Sequence, residues 1–271
     1  MTIPHFSVLM SLYDKENPSY LEQCLRSLQF QTLLPQQIVI VFDGPINDIL
    51  ESVVNRYCAF LPINVVRLSQ NKGLGNALNF GMAFCEHEII ARMDTDDYCD
   101  KNRFLKQITF MGMHPEVSIL GSAIDEYDET MSIFLGTRKT KIHTHDIKKY
   151  ARFRSPFNHM TVVFRKSKIL SIGGYKHHYC MEDYNLWLRA IAANMEFYNF
   201  NDSLVMARTG VKMISRRKGL KYIQSEWELA KLKYNLRIQG VIGATVSLIL
   251  RSLPRLLPKK LLTTIYFLLR K

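Results

Sequence analysis

The stretch Glu88–Asp100, EIIARMDTDDYCD, sets both the fold and the chemistry to be explained. An apolar run closes on Arg92 and is followed at once by Asp94, Asp96, Asp97 and Asp100. A short continuous apolar run reads as a strand buried on both faces, the habit of parallel sheets covered by helices. Carboxylates this close repel one another, in a chain whose formal net charge is +12. They need a positive partner. Asp94 and Asp96 are two residues apart, so extended backbone points both side chains the same way. Two hard oxygen ligands on one side, with room for water and substrate, suit Mg2+ or Mn2+, ions that often complete their shell with phosphate oxygens. A calcium loop is excluded, because Cys99 and Leu105 stand where its glycine and glutamate would be needed. Asp100, and Asp97 with it, also fit the acidic start of a helix beginning at Lys101.

Working outward, the same grammar repeats. FSVLMSLY (6–13), QIVIVFD (37–43) and INVVRL (63–68) read as buried strands, with EIIARMD as the fourth. Asn17-Pro18 offers an N-cap followed by proline at the first helical position, and Leu21, Cys24, Leu25 and Leu28 share one helix face. Residues 47–60 read as helix, and NKGLGNALNFGMAFC opens on glycines before becoming another. This alternation predicts an α/β chain with parallel βαβ units. Ligands of such sheets gather outside the carboxyl ends of the strands, where Tyr13, Asp43 and Asp94 all stand. Farther on the expectation is a helix over 101–113, a strand over 117–124, an irregular charged segment over 125–160 and a strand over 160–165. EDYNLWLRAIAAN then reads as a helix with Glu182 and Asp183 in its first turn.

The chain has 271 residues, 47% of them hydrophobic, which suits one large domain with an appendage and excludes global disorder. The basic surplus calls for an acidic partner. Nucleic acid is not expected, because the basic residues concentrate beyond residue 205 beside apolar clusters and no aromatic–basic RNA-binding motif occurs. Five cysteines without a CxxC pair argue against a disulfide framework or zinc site and favour a reducing compartment. MTIPHFSVLM lacks the basic n-region of a signal peptide, so a cytoplasmic location is expected. Residues 219–239 read as an amphipathic helix, and the apolar GVIGATVSLIL after it is too short to span a bilayer. The remaining RSLPRLLPKKLLTTIYFLLRK interleaves apolar clusters with Arg251, Arg255, Lys259 and Lys260, as suits a segment lying in an anionic membrane surface.

Five segments in this order, SVLMSLYDKE, QIVIVFDGP, NKGLGNALNFG, ARMDTDD and MEDYNLWLR, resemble the inverting family 2 glycosyltransferases of the GT-A fold, above all bacterial O-antigen and capsule enzymes. The DxD alone is a weak signal; the five together are specific. The resemblance implies a mostly parallel, Rossmann-like sheet flanked by helices. It implies a nucleotide-binding half over 1–100, an acceptor half over 101–218 and a helical, membrane-associating region over 219–271. It further implies a UDP-sugar donor, a polyprenyl-diphosphate-linked oligosaccharide acceptor, Mn2+ or Mg2+, and a place on the inner face of the cell membrane. Residue by residue, Asp43 matches the aspartate that bonds uracil, and Tyr13 and Glu16 match the first nucleotide-binding loop. Asp94 matches the first DxD aspartate, near the ribose, and Asp96 the metal-coordinating one. Asp183 matches the catalytic base, and Arg92 and Lys72 become contacts for an anionic ligand. Gly73 and Gly75 allow close backbone approach, or simply start a helix. The chemistry agrees: inversion needs a carboxylate that takes a proton from the attacking hydroxyl, and a cation that offsets charge on the leaving diphosphate.

One departure stands out. Relatives often supply a third metal ligand from a histidine beyond the base, and LVMARTGVKMISRRKG has none. Arg208, Lys212, Arg216 and Arg217 are there instead, as a basic lid over the diphosphate or as a solvated run. His159 is an acceptor-site residue or a satisfied structural histidine, and Glu182 a site carboxylate or plain first-turn acidity. A nucleotidyltransferase would need a glycine-rich loop where SLYDKE stands, and a DxD phosphatase would place its acids after the first strand. A polyprenyl-phosphate sugar synthase and a non-catalytic membrane scaffold remain as alternatives.

Overall fold

The computed structural model describes residues 3–209 and 219–253. The first half alternates as its sequence specifies: β1 (Phe6–Leu12), α1 (Pro18–Gln29), β2 (Gln37–Phe42), α2 (Asp48–Tyr57), β3 (Ile63–Arg67), α3 (Leu74–Phe84) and β4 (Ile89–Arg92). The Asn17 side chain caps α1 by accepting from Ser19 N at 2.9 Å, with Pro18 at the first helical position, and Asn47 caps α2 through Leu50 N at 3.1 Å. β1, β2, β3 and β4 pair parallel in the spatial order β3-β2-β1-β4, so Tyr13, Asp43 and Asp94 follow adjacent strands at one end of the sheet.

The second half departs from that pattern. After β5 (Tyr98–Cys99) and α4 (Arg103–Met113) come β6 (Val117–Tyr127), β7 (Phe134–Arg138), α5 (Thr144–Tyr150), β8 (Val163–Arg165), α6 (Lys166–Ser171), α7 (Glu182–Ala192), β9 (Glu196–Arg208), α8 (Leu220–Asn235) and α9 (Val241–Ser252). β8 runs antiparallel to both β4 and β6, and β5 antiparallel to β9, so the sheet is mixed rather than parallel throughout. The segment 125–160, expected to be irregular, contains the β6–β7 hairpin and α5. The strand expected over 160–165 begins only at Val163, because Thr161 Oγ1 donates to Asn158 O at 2.8 Å and closes a 3-10 turn over His159–Thr161. Such side-chain bonds offer backbone an alternative to a ladder.

Both faces of the sheet are covered. Val8, Met10 and Leu12 of β1 pack with α1, α2 and α4, while Leu9 packs with α3 and α7 on the other side. This double burial is why the strands read as continuous apolar runs rather than alternating ones. The region 219–253, expected as an appendage, is joined to the second core: Tyr222 and Leu229 of α8 are buried with Tyr184 and Leu188 of α7. Residues 254–271, where most of the expected membrane-surface segment falls, lie outside the described residues.

Helix α3 lies flush on the strands at Gly81, where an added Cβ would stand 2.4 Å from Val41 Cγ2 and 2.8 Å from Leu9 Cδ1. Gly81→Ala is therefore expected to destabilise the chain by about 1–3 kcal/mol through overpacking, read as a lowered urea midpoint. An unchanged midpoint would mean that α3 does not press on β1 and β2 as described.

Candidate active site

Strand β4 delivers its last residue, Arg92, into full burial, and its guanidinium turns back on Asp94. Nη1 donates to Asp94 Oδ2 at 2.6 Å and Nη2 to Asp94 Oδ1. Arg92, expected as a contact for an anionic ligand, makes a two-pronged hold on the first acid of the cluster. The fork geometry of a guanidinium suits this task as an ammonium would not. Arg103, also buried, supports the same loop, with Nη2 on Arg92 O at 2.7 Å and Nη1 on Met93 Sδ at 3.0 Å.

Carboxylate oxygens of Asp94, Asp96 and Asp97 all lie within 4.8 Å of one another. Burial, then Asp94 and Glu16, push the Asp96 carboxyl up to about 7. Burial, then Asp96 and Asp94, push Asp97 well above the usual carboxylate range, although its Oδ1 accepts from Arg208 N at 2.9 Å. Ionised together, the three acids would carry more negative charge than Arg92 offsets, so Asp96 and Asp97 hold their protons more tightly than ordinary carboxylates do. Asp97 belongs to this cluster and not to a helix cap.

Loops from the neighbouring strands close on the cluster. Glu16 Oε2 accepts from Thr95 Oγ1 at 2.9 Å and Oε1 from Asn17 N at 2.8 Å, tying the β1 loop to the DxD. Tyr13, on the same loop, is 39% exposed and so presents its ring at the surface of the sheet end. Asp43 is buried, and its carboxylate accepts from Lys72 N at 2.6 Å and Gly73 N at 3.0 Å. It thereby fixes the loop that starts α3, where Gly73 takes a φ of +82°. The Lys72 side chain is exposed beside this loop. Arg208 sits at the end of β9, brought over by the β5–β9 pairing. Its guanidinium donates to the carbonyl of Asp96, to Gln23 Oε1 and to Glu129 O, and lies 4.1 Å from the Tyr20 ring centroid. It thereby braces the acidic loop. Lys212, Arg216 and Arg217 lie outside the described residues.

The first turn of helix α7 lies within reach of the cluster's fields. Gly75 brings α3 against its start, an added Cβ lying 3.1 Å from Glu182 Cβ. Burial and then Asp183 push the Glu182 carboxyl up to about 7, and the fields of Arg92 and Asp94 reach it too. Asp183 Oδ2 accepts from Ser155 Oγ at 3.4 Å. His159 Nε2 pairs with Tyr175 Oη at 2.8 Å, and burial holds the imidazole well below its ordinary range, as befits a neutral structural histidine. The structure thus gathers Glu16, Asp43, Arg92, Asp94, Asp96, Glu182 and Asp183 around one end of the sheet. Thr95, Asp97, Ser155 and Tyr175 join them. Ser155 carries no local signal, because it meets Asp183 only through the fold.

A carboxylic acid raised to about 7 stays protonated in the folded chain after its unfolded counterpart has ionised. The folded state then binds more protons, so stability falls as pH climbs from the ordinary glutamate range through about 7. Glu182→Gln is expected to raise the thermal midpoint at pH 8 and leave it nearly unchanged at pH 4.5. A gain of equal size at both values would remove Glu182 as the titrating group.

Comparison with known proteins fits this geometry. The chain is 46% identical over 261 residues to the amylovoran biosynthesis glycosyltransferase AmsE of Erwinia amylovora, covering 96% of this chain and 97% of that protein. It is 36% identical over 263 residues to the UDP-Gal:alpha-D-GlcNAc-diphosphoundecaprenol beta-1,3-galactosyltransferase of Escherichia coli, covering 97% of this chain and 95% of that protein. Its fold matches that of Staphylococcus aureus TarS 1-349 with a TM-score of 0.68 at 18% identity, over 91% of this chain and 71% of that one. It also matches the mannosyltransferase PcManGT of Pyrobaculum calidifontis with a TM-score of 0.64 at 14% identity, over 99% of this chain and 81% of that one. Residues 7–176 match the model of Glycosyl transferase family 2, and the chain, a glycosyltransferase with the mixed α/β architecture of GT-A structures, belongs to that family.

Proposed function

We propose that this glycosyltransferase moves a hexose from a UDP-sugar to a polyprenyl-diphosphate-linked saccharide in the assembly of a surface polysaccharide, inverting the anomeric centre. The observation that carries the reading is that the first turn of α7, with Glu182 and Asp183, lies near enough to the acidic cluster at the end of β4 for the fields of Arg92 and Asp94 to reach Glu182. The galactosyltransferase relative, named for a UDP-Gal donor and a diphosphoundecaprenol acceptor, supports the choice of substrates. A TarS structure in complex with UDP-GlcNAc supports the donor. Glucose, galactose and their N-acetyl forms are the candidate sugars.

In this reading the donor nucleotide lies along the ends of β1 and β2, against Tyr13, Glu16, Asp43 and the Lys72–Gly73 loop. Asp183 takes the proton of the acceptor hydroxyl as that oxygen attacks the anomeric carbon. Ser155 orients the carboxylate, and Glu182 stays largely protonated below about 7, which spares Asp183 a second negative charge at its side. The clustered acids fit a divalent cation, being hard oxygen donors with unbalanced charge. Asp96 would hold Mn2+ or Mg2+ with Asp94 and Asp97 beside it, and the ion supplies Lewis-acid stabilisation of the departing diphosphate. PcManGT was solved with GDP-Man and Mn2+.

The proposed location is the inner face of the cell membrane, held peripherally. No helix among the described residues is long and apolar enough to cross a membrane. Ile242, Val246, Ile249 and Leu253 form an exposed aliphatic stripe on and just beyond α9, suited to lying in an interface.

Two measurements test this reading. Titration of UDP into the protein with Mn2+ present should release heat that Asp96→Asn abolishes; absence of heat for the wild type would sink the donor assignment. Asp183→Asn should bind UDP as the wild type does and lose about 10²–10⁴-fold in turnover, using whichever UDP-hexose a screen with lipid-diphosphate acceptors selects. Turnover near the wild-type rate would take the base role from Asp183.

A further inference from the structure

Helix α5 ends at Tyr150, and the next three backbone carbonyls are capped by side chains from three different helices. Tyr184 Oη of α7 donates to Ala151 O at 2.7 Å, Lys233 Nζ of α8 to Arg152 O at 2.8 Å, and Arg251 Nη1 of α9 to Phe153 O at 3.0 Å. Carbonyls at a helix C-terminus lack intrahelical partners, and cations are favoured there. The donors are themselves held. Arg251 Nε bonds Glu226 Oε2 at 2.6 Å, and Lys233 Nζ and the Arg251 guanidinium lie 4.8 and 5.4 Å from the Tyr184 ring centroid. Lys233 and Glu226 are buried.

With its carbonyls anchored, the turn presents Arg152, Phe153 and Arg154 outward. All three are exposed, Phe153 to 52%. Among the described residues no hydrogen bond or ion pair engages either guanidinium. The next residue, Ser155, turns inward to Asp183. A cation–aromatic–cation surface therefore adjoins, through Ser155, the carboxylate proposed as the base. The basic run that includes it, Arg138–Arg154, is a second concentration of positive charge well before residue 205.

We propose that Arg152, Phe153 and Arg154 form the seat for the diphosphate and first isoprenoid unit of the acceptor lipid. This rests on the polyprenyl-diphosphate reading of the acceptor. Where one sugar links the lipid to the attacking hydroxyl, that hydroxyl and the diphosphate are carried on the same ring, so cations for the diphosphate belong beside the base. Two guanidiniums match the oxygens of a diphosphate through charge-assisted, forked hydrogen bonds. The ring between them offers an apolar surface to the chain that follows.

The test is titration of farnesyl diphosphate, with farnesol as control, into the full chain loaded with UDP and Mn2+ so that the donor site is occupied. Farnesyl diphosphate should bind and farnesol should not. Arg152→Gln/Arg154→Gln should weaken farnesyl diphosphate by about tenfold or more, the scale of charge-assisted bonds. Phe153→Ala should weaken farnesyl diphosphate more than inorganic diphosphate. UDP binding, measured on each variant, reports an intact fold. No binding of farnesyl diphosphate to the loaded wild type would overturn the seat, as would unchanged affinity in the double variant. So would a double variant whose only loss is adhesion to phosphatidylglycerol vesicles, which would make the turn a headgroup contact. The acceptor reading fails separately, if alkyl glycosides serve the wild type as well as lipid diphosphates do.

Discussion

A guanidinium buried at the carboxyl end of β4 holds the first of three crowded carboxylates, and the arrangement around it follows from that contact. Without Arg92, Asp94 would add its charge to Asp96 and Asp97 in a place with little water to screen it. With it, Asp94 is fixed in direction, and the remaining repulsion raises the proton affinity of its two neighbours. The cost of burying Arg92 is met by a bidentate partner, as a buried charge requires. Arg103 and Arg208 support the same loop from below and from the side, each through a main-chain carbonyl. Three arginines thus serve the acidic loop without offsetting all of its charge. The imbalance that remains is what makes a divalent cation chemically suited to the place.

Much of this was legible in the sequence, because the first half of the chain obeys local rules. Continuous apolar strands, Asn caps and glycine at the head of α3 are each written in adjacent residues, and the end-of-strand positions of Tyr13, Asp43 and Asp94 follow from them. The second half is written nonlocally. β9 hides its strand character behind the exposed Asn201 and Asp202, and its register with β6 slips where that stretch occurs. α5 buries a single residue, Ile147, too little to leave a periodic pattern. The roles of arginines were the hardest to read. Arg92 and Arg208 look like ligand contacts in one dimension, and only the fold shows that their donors face Asp94 and the Asp96 carbonyl.

The same limit applies to the C-terminal helices. By composition they look like an appendage, since α8 carries several lysines and α9 is largely aliphatic. In the fold, Tyr222 and Leu229 complete a core shared with α7, and Lys233 and Arg251 reach past that core to the turn after α5. One face of this hairpin belongs to the domain interior, and the opposite face of α9 carries the exposed aliphatic stripe. A single pair of helices therefore stands between the interior that shapes the site and the surface proposed to meet lipid.

The three anchored carbonyls also impose an order on biosynthesis. A ribosome releases the β1–β4 loops first and the donors Lys233 and Arg251 last, so the turn at Ala151–Phe153 gains two of its three anchors only near the end of translation. A nascent chain stalled before Leu220 would own every carboxylate of the acidic site while lacking the brace behind Arg152 and Arg154. On the proposed assignments, nucleotide recognition would then mature ahead of lipid recognition, and a half-made chain would engage its donor without committing the sugar to an acceptor.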